Sequence, residues 1–243
     1  MKREMRGLAM FLCVAVTTGA GMSAQETADV VIRQGRMARD KGDVESLQEL
    51  VRRAGDEATK TNGFDANLRI ALLSAFLVEA AHDRQNDKIA KQAAQDGVAA
   101  AERAVKLNAE SSEAHRLVGT LLGELIPHVL AGGMRYGPRS TQEIEQAMQL
   151  DAQNANAYVA RGNAYFFTPK AFGGDKDQAI ATWNKAIALA PGSDAAQSAH
   201  ILLARAYKSL GKPGDARKEI DEALRINPER LFAKLVLGQL AVK

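Results

Sequence analysis

The sequence predicts an all-α fold, a right-handed solenoid of helical hairpins with long loops inside some of the hairpins. Two observations predict it. Apolar and small residues recur at three- and four-residue steps, which is the spacing of one helix face, and the same set of spacings returns, imperfectly, along most of the chain. Alanine is abundant while aromatic residues make up only 5% of the 243 residues. This composition favours helices that approach one another closely.

The clearest repeat unit runs from Gln197 to Glu229. Its first helix ends at Gly211, where a left-handed residue is needed, and Pro228 breaks the chain before the next helix. The residues that carry the pattern are Leu203, Ala204, Tyr207, Gly211, Ala216, Ile220, Ala223 and Pro228. This spacing resembles the tetratricopeptide repeat (TPR), a helix-turn-helix unit of about 34 residues. The resemblance implies a stack of hairpins that acts through its surface.

Less regular copies of the unit lie upstream. The nearest copy places Trp183 where the repeat needs a bulky core residue, so Trp183 is predicted to pack in the core. Two earlier units follow the same plan, and the earliest has lengthened helices. The residues that carry these three units are Tyr158, Gly162, Tyr165, Ala179, Trp183, Ala186 and Pro191, then Ala114, Gly119, Leu122, Ile144, Ala147 and Leu150, then Leu73, Ser74, Leu77, Ala101, Ala104 and Leu107.

The pattern divides the chain into four parts. A signal peptide at 1–24 precedes a divergent N-terminal helical hairpin at 25–62, a TPR-like array at 63–229 and a C-terminal capping helix at 230–243. The last helix is apolar over most of its surface. Terminal repeats normally present a polar outer face, so this helix either folds back onto the array or pairs with another subunit. The sequence therefore leaves open whether the chain forms a homo-oligomer.

The N-terminus predicts export. Lys2, Arg3 and Arg6 precede an apolar run and then small residues, as in a secretory signal peptide. We therefore expect a periplasmic or secreted protein with a soluble mature chain and no permanent membrane span. Without residues 1–24 the chain has 29 basic and 28 acidic residues, which argues against a nucleic-acid partner. The single cysteine, Cys13, lies in this segment, so the processed chain would hold no thiol.

Two insertions separate the helices of consecutive units. They cover about 128–139 and 168–174, each holds a Gly-Gly pair, and a capping box follows each one, at Ser140 with Glu143 and at Asp175 with Gln178. Equivalent loops of consecutive repeats lie side by side, which predicts one composite lip. Its residues are Met134, Arg135, Tyr136, Arg139, Phe166, Phe167, Lys170 and Phe172. Aromatic surfaces beside cations suit an extended peptide, or a ligand with an apolar body and an anionic head. Alternatively, the phenylalanines pack beneath their own loop.

The concave wall of the array supplies a second candidate surface. The predicted groove consists of Arg116, Thr120, Asn156, Val159, Asn163, Ile201 and Arg205. TPR domains that grip a carboxylate need Lys and Asn at fixed places. Asn163 matches one such place, but Val159 stands at another. The mixed groove instead suits a helix or an extended segment of a protein partner.

Catalytic motifs are absent from the sequence. It has no nucleophile elbow, phosphate loop or zinc-protease motif, and its paired acids lie on an exposed helix face, so we predict no enzyme, no cofactor and no metal. The histidines are predicted to be isolated, without a carboxylate or second histidine at ligand spacing. They are His82, His115, His128 and His200.

Two functional hypotheses follow. The first is a non-catalytic exported TPR protein that mediates protein–protein interaction or assembly in the bacterial envelope. The second comes from Phe172-Gly-Gly-Asp-Lys-Asp-Gln-Ala179, which resembles the start of a second helix in the periplasmic T-component of TRAP transporters. That resemblance implies binding of a small organic ligand and of a substrate-binding protein.

Overall fold

The structure is a computed structural model that describes residues 24–61 and 63–241. The predicted signal segment, residues 1–24, lies outside these ranges except for Ala24, and its assignment stays a prediction. The described ranges hold eleven α-helices and two short 3₁₀ segments. The helices are α1 (Ala24–Lys41), α2 (Val44–Thr61), α3 (Phe64–Asp83), α4 (Asp87–Leu107), α5 (Ser112–Leu125), α6 (Gly132–Leu150), α7 (Ala155–Phe167), α8 (Lys176–Leu189), α9 (Asp194–Ser209), α10 (Pro213–Ile226) and α11 (Leu231–Ala241), and the 3₁₀ segments are Ile126–His128 and Lys170–Phe172.

Consecutive helices pair as hairpins, from α1 with α2 to α9 with α10. The first helices of the hairpins also contact one another in a row, α1 to α3, α3 to α5, α5 to α7 and α7 to α9, and α11 continues the row against α9. This arrangement confirms the predicted all-α solenoid. None of the helices in the described ranges is long and apolar enough to cross a membrane.

Within a hairpin, a small residue on the first helix faces a large residue on the second. A Cβ added to Gly162 would overlap the indole of Trp183, which is fully buried. The predicted core position of Trp183 is therefore confirmed. At Gly119 an added Cβ would lie 2.6 Å from Cγ1 of Ile144. The pattern thus encodes close helix crossing, and Gly211 has the predicted left-handed conformation at φ +71°.

A polar contact at the end of the second helix also repeats. Ser112 Oγ donates a hydrogen bond of 2.8 Å to the carbonyl of Ala147. Gln197 Nε2 donates one of 2.8 Å to the carbonyl of Ala223, which is the equivalent residue two hairpins later. Each bond adds a second donor to a carbonyl in the last turn of a helix, which also accepts the backbone N–H of the residue that follows the helix, Asp151 or Asn227.

The first insertion differs from its prediction. The loop expected at 128–139 is mostly helix, because α6 begins at Gly132 and continues through Pro138. Gly132 is required at this start because an added Cβ would collide with the backbone of Ile126. Ser140 does not cap the helix: its side chain is buried and Oγ donates a 2.6 Å hydrogen bond to the carbonyl of Gly119. The pattern taken for a capping box therefore serves contacts between helices.

The second insertion follows its prediction. After α7 ends, residues 168–175 form a loop that contains the second 3₁₀ segment. Asp175 then caps α8, since its Oδ1 accepts hydrogen bonds from the backbone N–H groups of Asp177 at 2.9 Å and Gln178 at 3.0 Å. The side chain of Gln178 also donates to Asp175 Oδ2, at 3.3 Å.

The two ends of the array meet. Helix α11 contacts α1 and α3 as well as α9 and α10, so the row of first helices closes on itself. The apolar face of α11 packs on its own chain, with Ala233 and Val236 in one buried cluster with Ile201, Ala204 and Ile220. Helix α11 therefore packs on the array of its own chain, and pairing with another subunit stays a prediction.

Candidate functional site

A buried ionic cluster occupies the place where the two ends of the array meet. Arg39 on α1 donates to Asp40 and, with two nitrogens, to the carboxylate of Asp194 on α9; its Nη1 lies 2.8 Å from Asp194 Oδ2. Arg230, just before α11, donates to Glu79 on α3 at 2.6 Å and reaches Asp40 at 3.4 Å. No local pattern in the sequence predicts this cluster, because it joins residues from distant parts of the chain.

The ionic cluster perturbs its own members. Burial alone would lower the pKa of Arg39, but the hydrogen-bonded Asp194 and the charges of Glu79 and Asp40 raise that pKa above its ordinary value. Burial would raise the pKa of Asp194, and Arg39 holds it below its ordinary value. Beside the cluster, burial raises the pKa of Asp83 to about 6, and Asp83 Oδ2 is buried with no hydrogen-bond partner in the part of the chain that the structure describes.

Closure of the row hides part of the predicted groove. Ile201 is fully buried and Arg116 nearly so. Arg116 donates two hydrogen bonds to Glu113, of 2.7 and 2.6 Å. Thr120 Oγ1 is buried and has no hydrogen-bond partner among the described residues. These three side chains therefore line the interior of the closed row rather than an open groove.

The α7 part of the groove supports the core of its hairpin. Trp183 Nε1 donates to the carbonyl of Val159 and to Oδ1 of Asn163, both at 3.2 Å. The side-chain oxygen of Asn163 thus accepts a hydrogen bond from its own repeat, although the position of Asn163 matches one place of the carboxylate-binding pattern. Asn156 is exposed to solvent.

The lip residues from the first insertion lie on the first turns of α6. Met134 is open to solvent, and Arg135 stacks on Tyr136, with 5.2 Å from Cζ to the ring centroid. Tyr136 also packs against the N-terminal core. Arg139 is paired with Glu102 of α4 at 2.6 Å. Tyr136 and Arg139 therefore bind α6 to its own fold.

The lip residues from the second insertion divide between core and solvent. Phe166 packs on Trp183 with ring centroids 5.5 Å apart, and Phe167 meets Phe166 edge to face at 5.1 Å. Phe172 is exposed, as is Lys170. No hydrogen bond, ion pair or ring contact in the described ranges joins this half of the lip to the α6 half. A single composite lip stays a prediction.

Arg205, a predicted groove residue, contacts Phe167, a predicted lip residue. Its guanidinium lies over the rings of Phe167, 5.4 Å from the centroid, and Phe232 on α11, at 5.6 Å. It is half-buried, and it makes no hydrogen bond or ion pair with any residue that the structure describes. Burial lowers the pKa of Arg205, with no carboxylate to offset that effect. Arg205 is therefore a cation that lies against two aromatic rings and has no anionic partner among the described residues.

The histidines are less isolated than the sequence predicted. His115 Nδ1 lies 2.6 Å from Glu143 of the second helix of its hairpin, and His200 Nδ1 lies 2.6 Å from Glu219 at the equivalent position. His82 contacts Glu124 at 3.0 Å. The expectation that the histidines are isolated was wrong for these three, because the pairs form across helices, where spacing along the sequence does not show them. Within residues 24–61 and 63–241, no three His, Cys, Asp or Glu side chains are grouped so that they could hold a metal ion.

The comparisons with known proteins agree with this architecture. A tetratricopeptide-repeat family model matches residues 197–230. A thermophilic TPR protein of Thermus thermophilus has a similar structure, with TM-score 0.61 and 17% identity over 89% of this chain and 100% of its own. Two further structures are similar at lower scores. MamA has a TM-score of 0.42 and 20% identity, and the match covers 80% of this chain and 95% of MamA. YrrB, a TPR protein with an unusual peptide-binding site, has a TM-score of 0.44 and 13% identity, and the match covers 87% of this chain and 99% of YrrB. No curated protein sequence matches this chain. Residues 197–230 are therefore a tetratricopeptide repeat, and the chain has the fold of tetratricopeptide-repeat proteins.

Proposed function

We propose that this chain is a non-catalytic, exported protein-binding module of the bacterial envelope, and that it holds an acidic segment of its partner at Arg205. The observation that carries the proposal is the half-buried guanidinium between Phe167 and Phe232, which has no anion among the described residues. A guanidinium has five N–H donors and binds carboxylates in a forked geometry. A partner carboxylate would satisfy donors that the fold leaves open.

The surroundings of Arg205 define the ligand further. Phe167 leaves 56% of its surface exposed beside the guanidinium, which offers an apolar platform next to the charge. Aromatic and arginine side chains together are typical of the residues that dominate binding energy in protein interfaces. We therefore expect an acidic residue of the partner with an aliphatic or aromatic side chain close to it.

Binding of peptides tests this site. Peptides that carry Asp or Glu beside Leu or Phe are titrated by fluorescence anisotropy against the wild type and against Arg205→Gln. Loss of a partly desolvated charge pair costs about 2 to 5 kcal/mol, so the variant should bind at least about 30-fold more weakly. Arg217→Gln is the matched control, since Arg217 is exposed on α10 and pairs with Asp221. Equal affinity of Arg205→Gln and the wild type would refute the site.

The second hypothesis is a T-component-like protein that binds a small organic ligand. The molecules that co-purify with the protein distinguish it from the first hypothesis. The processed protein is purified gently from its own envelope and measured by native mass spectrometry. A stoichiometric protein partner supports the module proposed here. A co-purifying small molecule in a closed oligomer supports the alternative.

A further inference from the structure

The turns inside the hairpins expose large apolar side chains. Of eight large apolar side chains that stand in solvent in the described ranges, five lie on the turns α5–α6, α7–α8 and α9–α10 or on the helix turn next to them. They are Leu130, Met134, Phe167, Phe172 and Leu210. Leu130 is 98% exposed and Phe172 is 77% exposed. Because equivalent turns of consecutive repeats lie at the same side of a solenoid, these side chains share one edge, which we call the turn edge.

The turn edge also carries cations that have no carboxylate partner among the described residues. Exposed basic side chains lie beside the apolar ones, and none forms an ion pair with a described carboxylate. They are Arg135, Lys170, Lys176 and Lys212. Of the acidic residues there, Asp175 is engaged by the backbone N–H groups that it caps, and Asp215 lies 3.4 Å from Lys218. Asp177 is exposed on the first turn of α8.

The opposite edge exposes more carboxylates. The turns between hairpins, α4–α5, α6–α7 and α10–α11, expose the carboxylates of Glu110, Asp151 and Glu229. The basic residue in the last of these turns, Arg230, is buried in the ionic cluster. The turns of the turn edge therefore expose several apolar and basic side chains, whereas the turns compared on the opposite edge expose carboxylates beside Lys106 and Leu107. This asymmetry gives the molecule a preferred orientation toward a negatively charged surface.

We propose that the turn edge docks on a membrane surface that contains anionic lipids. The apolar side chains protrude from separate turns instead of lining a concave pocket, so they can enter the boundary between headgroups and acyl chains. Arg135, Lys170, Lys176 and Lys212 then lie at the level of the lipid phosphates, where each cation is attracted by the negative surface potential. This surface shares Phe167 with the site at Arg205, but the inference does not depend on a protein ligand there.

A dye on the turn edge tests the orientation. The sequence has one cysteine, Cys13, so Cys13→Ser combined with Leu130→Cys gives a single site for an environment-sensitive dye. Leu107→Cys in the same background is the control, because Leu107 is 53% exposed but ends α4 at the opposite edge. With vesicles of phosphatidylcholine and phosphatidylglycerol, the emission at position 130 should shift to the blue while that at position 107 stays unchanged. Equal shifts, or none at position 130, would overturn the proposal.

Paired serine variants measure the contribution of the protruding side chains. Leu130→Ser with Phe172→Ser should lower the vesicle partition coefficient by at least about tenfold, because both side chains lose their apolar contact with lipid. Met37→Ser with Leu107→Ser removes two exposed apolar side chains elsewhere and should leave the partition unchanged. Pure phosphatidylcholine should bind the wild type at least about tenfold more weakly. If light scattering instead shows a dimer that only the first pair of changes dissociates, the edge binds a second copy and the proposal is wrong.

Discussion

The guanidinium of Arg39 donates two hydrogen bonds to the carboxylate of Asp194, although the two residues are 155 positions apart in the sequence. Arg39 lies on the first described helix and Asp194 begins α9, so the contact joins elements that are not neighbours along the array. In a linear solenoid each repeat contacts only its neighbours, and stability is a sum of local terms. Contact between the ends couples these terms, and we expect the array to unfold as one unit.

Arg39→Ala should lower the free energy of unfolding by about 3 kcal/mol, because it removes a cation from the buried carboxylate of Asp40 and from the partly buried carboxylate of Asp194. Arg39 is 1% exposed, and the buried Asp40 would keep only Arg230, at 3.4 Å, as a cation among the described residues. Arg52→Ala is the control: Arg52 forms ion pairs with Glu49 and Asp56 on the exposed face of α2, and surface pairs contribute about 1 kcal/mol or less. Urea unfolding of both variants measures the difference. Similar midpoints would show that the cluster does not hold the ends together.

Asp83 should make the protein less stable as the pH rises from about 4 to about 6. Its folded-state pKa, about 6, lies above the ordinary value of 3.8, mainly because burial penalises the ionised form. The cost of ionisation is therefore absent below the unfolded pKa and complete above the folded pKa. The charges of Arg230, Glu79, His82 and Arg39 also act on this carboxyl.

Asp83→Asn isolates this contribution, because other carboxylates change the stability in the opposite direction. The variant should gain stability relative to the wild type as the pH rises through this window, and the gain should be constant above it. Urea midpoints of both proteins at a series of pH values measure the difference. A difference that does not change with pH would show that Asp83 titrates alike in the folded and unfolded chains.

Gly162→Ala should lower the free energy of unfolding by about 2 kcal/mol, although alanine favours helix formation. The added Cβ would overlap the indole of Trp183, which is fully buried and hydrogen-bonded to Val159 and Asn163. Gly55→Ala provides the contrast, since nothing lies within 4 Å of its added Cβ and α2 should gain up to about 1 kcal/mol. Thermal unfolding followed by circular dichroism distinguishes the two outcomes.

The sequence predicted those parts of the fold that local periodicity encodes. Trp183 and Gly211 were found because a repeat places each of them at a fixed distance from its neighbours, and the cap at Asp175 was found from the capping-box spacing of Asp175 and Gln178. The start of α6 was not predicted. Gly132 is needed because the backbone of Ile126 lies too close for a Cβ, and not because the chain forms a loop there. A Gly-Gly pair in the sequence does not distinguish these two uses.

The candidate site was predicted only in part, for a different physical reason. Phe167 and Arg205 were both singled out, one as a lip residue and one as a groove residue, but their contact depends on how adjacent hairpins stack. Phe232 and the cluster of Arg39, Asp194 and Arg230 could not be found from spacing, because the closure of the row brings together residues with no shared period.

Val236→Asp tests whether the packing of α11 stabilises both ends of the array. Val236 is 1% exposed and packs with Ile201, Ala204 and Ile220, so a carboxylate there would be buried without a partner at a cost of about 3 kcal/mol or more. Leu235→Asp changes the next residue, which is 40% exposed, and should cost under about 1 kcal/mol. Hydrogen exchange should show faster opening of α9, α10 and α11 in the first variant alone. Because α11 also contacts α1 and α3, exchange in those helices should rise too, whereas a rise confined to α11 would mean that the ends of the array are not coupled.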